Sequence, residues 1–285
     1  MSVKVSAMQD TFAYCAELVR TADRDRFVAS LFAPADRRGA LHALYAFNVE
    51  VARVRDVAHA ALPGEIRLQW WSEAVNGERA DEAHANPVAT ALLSTIERHR
   101  LPAKRLIDLI EAHRFDLYDD PIAGVADLEA YALRTSSTLF TLAVQILAGV
   151  EAEAVTEPAG IAFAITDLLQ SFPRHVARRQ LFVPVELLER HEVHLHDVYA
   201  GRSSVGLKAA VAELRVLARR NLIAASAPLS ALPQEAVPAL LPLALVRRAL
   251  DRMEAADPFA PGEIPPWRRQ WLMWRASRNP ARLTQ

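Results

Sequence analysis

Charged and polar side chains recur at helical spacing in two stretches of this chain. In the first, Tyr45-Ala46-Phe47 leads into Val51-Ala52-Arg53-Val54-Arg55-Asp56. In the second, Thr166-Asp167-Leu168-Leu169-Gln170-Ser171-Phe172-Pro173-Arg174-His175 runs on to Phe182-Val183-Pro184. Residues four apart on a helix share one face, so carboxylates at that spacing on two facing helices can clamp Mg2+ between them. Metals held in this way stabilise negative charge that develops on a bound oxygen. Each stretch here keeps one carboxylate, Asp56 and Asp167, among Arg53, Arg55, Arg174 and His175. Such a set repels Mg2+ in a low-dielectric pocket. Its cations could instead bind an anionic head group through charge-assisted hydrogen bonds, or pair with neighbouring acids.

The elements that must position these residues read as helices. Apolar residues recur at helical spacing almost throughout, and no run alternates with a period of two. Helices are expected over residues 7–21, 36–58, 103–118, 127–148, 158–179, 205–226, 236–256 and 266–278. Pro63, Pro87 and Pro102 sit where a first-turn proline would open three helices after the second. Leu139, Leu142, Val144, Ile146 and Leu147 make one helix apolar on nearly every side, which suits the middle of a bundle. No linker is long enough to separate domains, so a single domain over residues 1–285 is expected.

Composition excludes several classes. With 33 Lys+Arg against 34 Asp+Glu, no whole-molecule field points to nucleic acid. Cys15 is the only cysteine, which rules out an intrachain disulfide and suits a reducing, cytoplasmic compartment. Residues 1–18 lack the apolar run of a secretory signal. The longest apolar stretch, residues 236–246, contains Pro238 and Pro242 and is too short to span a bilayer. No serine or cysteine triad, Walker loop or Rossmann glycine run is present.

With their flanks, the two stretches resemble the squalene/phytoene synthase superfamily. Pro34, Arg38, Ala40 and Tyr45-Ala46-Phe47 fit its entry to the first motif, Phe115-Asp116-Leu117 and Asp127-Leu128-Glu129-Ala130-Tyr131 its centre, and Phe182 to Leu188 its Tyr-Leu-Pro-x-Glu-x-Leu run. The resemblance implies the isoprenoid synthase fold, an all-α bundle around a central cavity. It also places the family's first aspartates on Ala52 and Arg53, its second-motif asparagine on Asp167, and its second-motif aspartates on Ser171 and His175. Residues 66–75 and 131–147, with Thr135-Ser136-Ser137 in place of Val-Ala-Gly, are similar to the branch that contains the mitochondrial complex I assembly factor 6.

This resemblance implies a non-catalytic protein that assists assembly of the NADH:ubiquinone oxidoreductase and holds a lipid or isoprenoid without metal or other cofactor. Its candidate ligand pocket comprises Arg38, Tyr45, Arg53, Asp56, Tyr131, Asp167, Ser171, Arg174 and His175. The alternative is a prenyltransferase that condenses farnesyl or geranylgeranyl diphosphate with Asp56, Asp116, Asp167 and rearranged Mg2+. Complex I subunits are the expected protein partners, at the cytoplasmic face of the inner membrane.

Three further groups could carry chemistry. His113, Asp116, Asp119 and Asp120 have spacing for a divalent ion, although Asp119-Asp120-Pro121 also reads as a helix end. His191, His194 and His196 are close in sequence but lack the i, i+4 spacing of a helical zinc pair. Trp267, Trp271 and Trp274 lie at i, i+4, i+7 among arginines, a pattern that suits a helix on an anionic membrane or one docked on the bundle with a solvated basic face.

Overall fold

The computed structural model describes the backbone of residues 2–58 and 60–285, and the side chains of residues 9–58 and 60–285. Among these residues the ordered elements are helices, with no β-strand and one isolated bridge between Asp257 and Ala260. This is the all-α architecture that the apolar periodicity demands. The chain divides into two compact units. One is formed by Met1–Leu117, Thr138–Ala152 and Leu232–Leu241, the other by Tyr118–Ser137, Glu153–Ala231 and Pro242–Gln285.

In the first unit, helix Ser2–Ala22 packs against helices Ala35–Ala52 and Pro87–His99. Helix Thr138–Ala148 packs on Ala35–Ala52 and is buried except at Gln145 and Ala148, as its apolar composition requires. Leu41, Leu44, Phe47, Leu68, Trp71 and Ile110 lie in one core, where Phe47 meets Trp71 edge-on at 5.2 Å. Helix Pro87–His99 starts as its sequence predicts, with Pro87 in its first turn and the Asn86 side chain accepting from the Val88 and Ala89 amides at 2.9 and 3.1 Å.

In the second unit, helices Glu153–Gln170 and Val205–Ser226 pack along each other, and the former also meets the Leu133–Ser137 segment. Gly160 makes that last contact close. A Cβ there would stand 2.3 Å from the Ser137 Cα and 2.4 Å from its nitrogen. The Ser137 hydroxyl donates to the Glu157 carbonyl at 2.8 Å and pins the two backbones together.

Several expected helices are interrupted. The 36–58 run stops at Arg53, between helices Ala35–Ala52 and Val54–Ala58. The 127–148 run consists of Val125–Ala132, a π-helical turn Leu133–Ser137, and Thr138–Ala148. In that turn the Thr135 hydroxyl donates to the Tyr131 carbonyl at 2.7 Å, a side-chain bond that competes with the regular ladder. The 103–118 run ends its α-helix at His113 and continues as the 3-10 turn Phe115–Leu117. Residues 236–256 break into short pieces because Pro242 has no N–H for the ladder. Pro63 occupies the third position of Ala61–Val75 rather than opening it, and Pro102 precedes Ala103–His113 as its cap. Helices Arg24–Ser30, Ala80–Ala85, Val185–Arg190 and Leu195–Tyr199 are too short to leave a periodic signal.

Candidate functional site

In the first unit, the Ala35–Ala52 helix carries Arg38, Tyr45 and, at its end, Arg53. Tyr45 is 2% exposed, and burial pushes its hydroxyl well above the usual phenol range. Against its ring lies a group that the sequence reading missed. Asp23 caps the Arg24–Ser30 helix by accepting from the Arg26 amide at 3.1 Å, and also binds the Arg26 guanidinium at 2.6 Å. That guanidinium is nearly buried and sits 5.8 Å over the Tyr45 ring. Asp23 three residues before Arg26 was the available signal, an N-cap spacing that gives no hint of a buried ion pair.

Arg38 does not join this group. Its guanidinium donates to the Ala33 carbonyl at 2.9 Å and the Leu31 carbonyl at 2.9 Å, closing the turn before its own helix. Arg53 and Asp56 are exposed, on either side of the helix break. Arg55 turns the other way and donates to the Asp116 carbonyl at 2.9 Å. The Asp116 carboxylate meets His113 Nδ1 at 2.7 Å, in a pair that is buried on both sides.

The second unit keeps the register of its stretch. The Ser171 amide donates to the Asp167 carbonyl at 2.9 Å and the His175 amide to the Ser171 carbonyl at 3.0 Å, so the three residues stack on one helical face across the joint before Pro173. Asp167 is exposed, while Ser171 and His175 are half-buried. Arg174 Nη2 donates to the Ser171 hydroxyl at 2.8 Å. The His175 ring lies 4.8 Å from Phe182, which in turn lies 5.5 Å from Tyr131. Four expected residues, Tyr131, Ser171, Arg174 and His175, are thus gathered by this unit, with Phe182 added between two of them. A narrow apolar crevice beside His175 is closed by Leu128, Ile165, Leu169 and Val183.

These donors do not fit a magnesium cluster. Mg2+ requires hard oxygen ligands in near-octahedral order. The first stretch offers one exposed carboxylate, and the second offers one carboxylate, a hydroxyl already bonded to Arg174, and an imidazole against the Phe182 ring. Among the described residues there is no group of three or more His, Cys, Asp or Glu side chains able to hold a metal. His191 pairs with Glu213 at 2.6 Å, and His194 holds the N-cap position of helix Leu195–Tyr199 through its backbone alone.

The helical architecture is that of the isoprenoid synthase fold. A dehydrosqualene synthase structure superposes with a TM-score of 0.83 over 95% of this chain and 96% of that one, at 16% identity, a likeness of fold. Residues 19–275 match the squalene/phytoene synthase family, and the chain belongs to it. Within the family it is 31% identical over 250 residues to the NADH dehydrogenase (ubiquinone) complex I, assembly factor 6, of Rattus norvegicus, covering 87% of this chain and 75% of that protein. It is 26% identical over 220 residues to the phytoene synthase of Thermus thermophilus, covering 75% of this chain and 73% of that one.

Proposed function

We propose that this protein is a non-catalytic member of the squalene/phytoene synthase family that assists assembly of respiratory complex I. Its carrying observation is that the similarity to assembly factor 6 is both higher and longer than that to the phytoene synthase. The two stretches support the same reading, because the second keeps its helical register while presenting Asp167, Ser171 and His175. Ionising an allylic diphosphate needs the developing charge to be met by clustered metal ions. Arg174 supplies a fixed positive charge, and it and the His175 ring supply donors that hold an anion without expelling it. The ligand suited to them is a phospholipid or an unreacted isoprenoid diphosphate, whose chain would lie along Tyr131 and Phe182. Its setting is the cytoplasm, at the inner membrane where the complex is built.

Two measurements test this. Deleting the gene in its own host should lower the amount of fully assembled complex I on native gels, with recovery on re-expression; unchanged complex would sink the assembly role. Purified protein given farnesyl or geranylgeranyl diphosphate with Mg2+ should release no pyrophosphate. Turnover abolished by Asp56→Ala would establish the prenyltransferase instead.

A further inference from the structure

Three of the chain's five tryptophans lie on helix Pro266–Arg278. Trp267, Trp271 and Trp274 are 68%, 44% and 51% exposed. Their i, i+4, i+7 spacing puts them on one stripe. The helix is held from its other side, where Met273 and Ala276 are buried, and Ile264 and Leu283 are buried at its two flanks. Docking on its own unit therefore leaves the aromatic stripe facing water. A row of exposed indoles is unusual on a soluble surface and calls for something to cover it.

Charge says what covers it. From Pro265 to Gln285 the chain has Arg268, Arg269, Arg275, Arg278 and Arg282 and no acid, although its net charge is −1. The Arg275 guanidinium lies 4.4 Å over the Trp271 ring, which holds a cation at the level of the indoles. The stripe itself offers indoles, Gln270 and Arg278, with no aliphatic knob of the kind that fills a groove on a partner helix. Indole rings prefer the depth of lipid headgroups, where an apolar body and a polar N–H are both satisfied.

We propose that this face docks on an anionic lipid surface, with the helix lying in the headgroup plane, the three indoles inserted and Arg268, Arg275 and Arg278 on phosphates. No helix among the described residues is long and apolar enough to cross a membrane, so the contact made by this helix is peripheral.

The test is co-sedimentation of the full-length protein with vesicles of phosphatidylcholine alone and of phosphatidylcholine mixed with phosphatidylglycerol, at low and high salt. The protein should partition onto the mixed vesicles only, with a blue shift in tryptophan fluorescence, and salt should release it. Each of Arg268→Gln, Arg275→Gln and Arg278→Gln should weaken binding about fivefold. The triple Trp267→Ala, Trp271→Ala, Trp274→Ala variant should lose at least about tenfold. Circular dichroism checks that the variants keep their helices. Equal partition onto both vesicle types, or no partition, by the unmodified protein would overturn the proposal. So would capture of a soluble protein by this face, lost in the triple variant, with no vesicle binding.

Discussion

Acid should destabilise this protein through His42, and the effect can be worked out from its surroundings. His42 lies in the first unit, 8% exposed, with Phe27 stacked on its ring at 5.6 Å. The Ser30 hydroxyl donates to the Phe27 carbonyl at 2.6 Å, so its oxygen accepts from His42 Nε2–H at 2.8 Å. Burial first, and the Arg38 guanidinium second, lower the His42 pKa from 6.5 to about 4. In the unfolded chain the imidazole takes up a proton near its ordinary value; in the folded chain it resists until about 4. Between those values the unfolded state binds more protons, so stability falls as the pH falls and levels off below the folded value. At about pH 4.5 the loss should be about 2.5 kcal/mol, since each pH unit in that window is worth about 1.4 kcal/mol. Urea unfolding at about pH 7.5 and 4.5, for the native protein and for His42→Gln, separates this loss from that of the carboxylates. His42→Gln should lose about 2.5 kcal/mol less between the two pH values. Equal losses in both proteins would refute the argument that a buried neutral imidazole carries the effect.

Other expectations follow from the packing. Gly160→Ala should lower the unfolding midpoint, because a Cβ within 2.4 Å of the Ser137 backbone forces the helices apart at a cost of about 1–3 kcal/mol, which outweighs alanine's better helix propensity. A midpoint that rises in a thermal melt would refute the close approach. Asp23→Ala should cost about 3 kcal/mol in chemical denaturation, since it strips a cap and leaves the Arg26 guanidinium buried beside Tyr45. Cys15 should resist thiol reagents in the native protein, as burial pushes its thiol up to about 12; labelling as fast as in denaturant would contradict this.

The particular residues show where sequence reasoning works. Helix Val205–Ser226 matches its expected range because Ser204 caps it locally, accepting from the Leu207 amide at 3.0 Å. Helix Pro266–Arg278 likewise opens on its own proline. The break at Arg53 has no such local cause. Val54 is 1% exposed and Arg55 reaches the carbonyl of Asp116, 61 residues away, so the helix yields to distant partners. Tyr131, Ser171, Arg174 and His175 were legible as a group because helical register and the family pattern place them together. The bonds that Arg38 makes to the carbonyls of Leu31 and Ala33 were not legible, because its sequence neighbourhood does not reveal that they stand within its reach.

By itself, the sequence determined the helical class and the family, since periodicity and residue identity are local properties that need no coordinates. Only the tertiary structure decided which charges are buried and which are spent. Burial of Arg26 against Tyr45, pairing of His113 with Asp116 and of His191 with Glu213, and exposure of the tryptophan stripe all depend on what folds against them. A side chain's charge is written in the chain, but its cost and its use are set by the dielectric and the partners that distant segments bring to it.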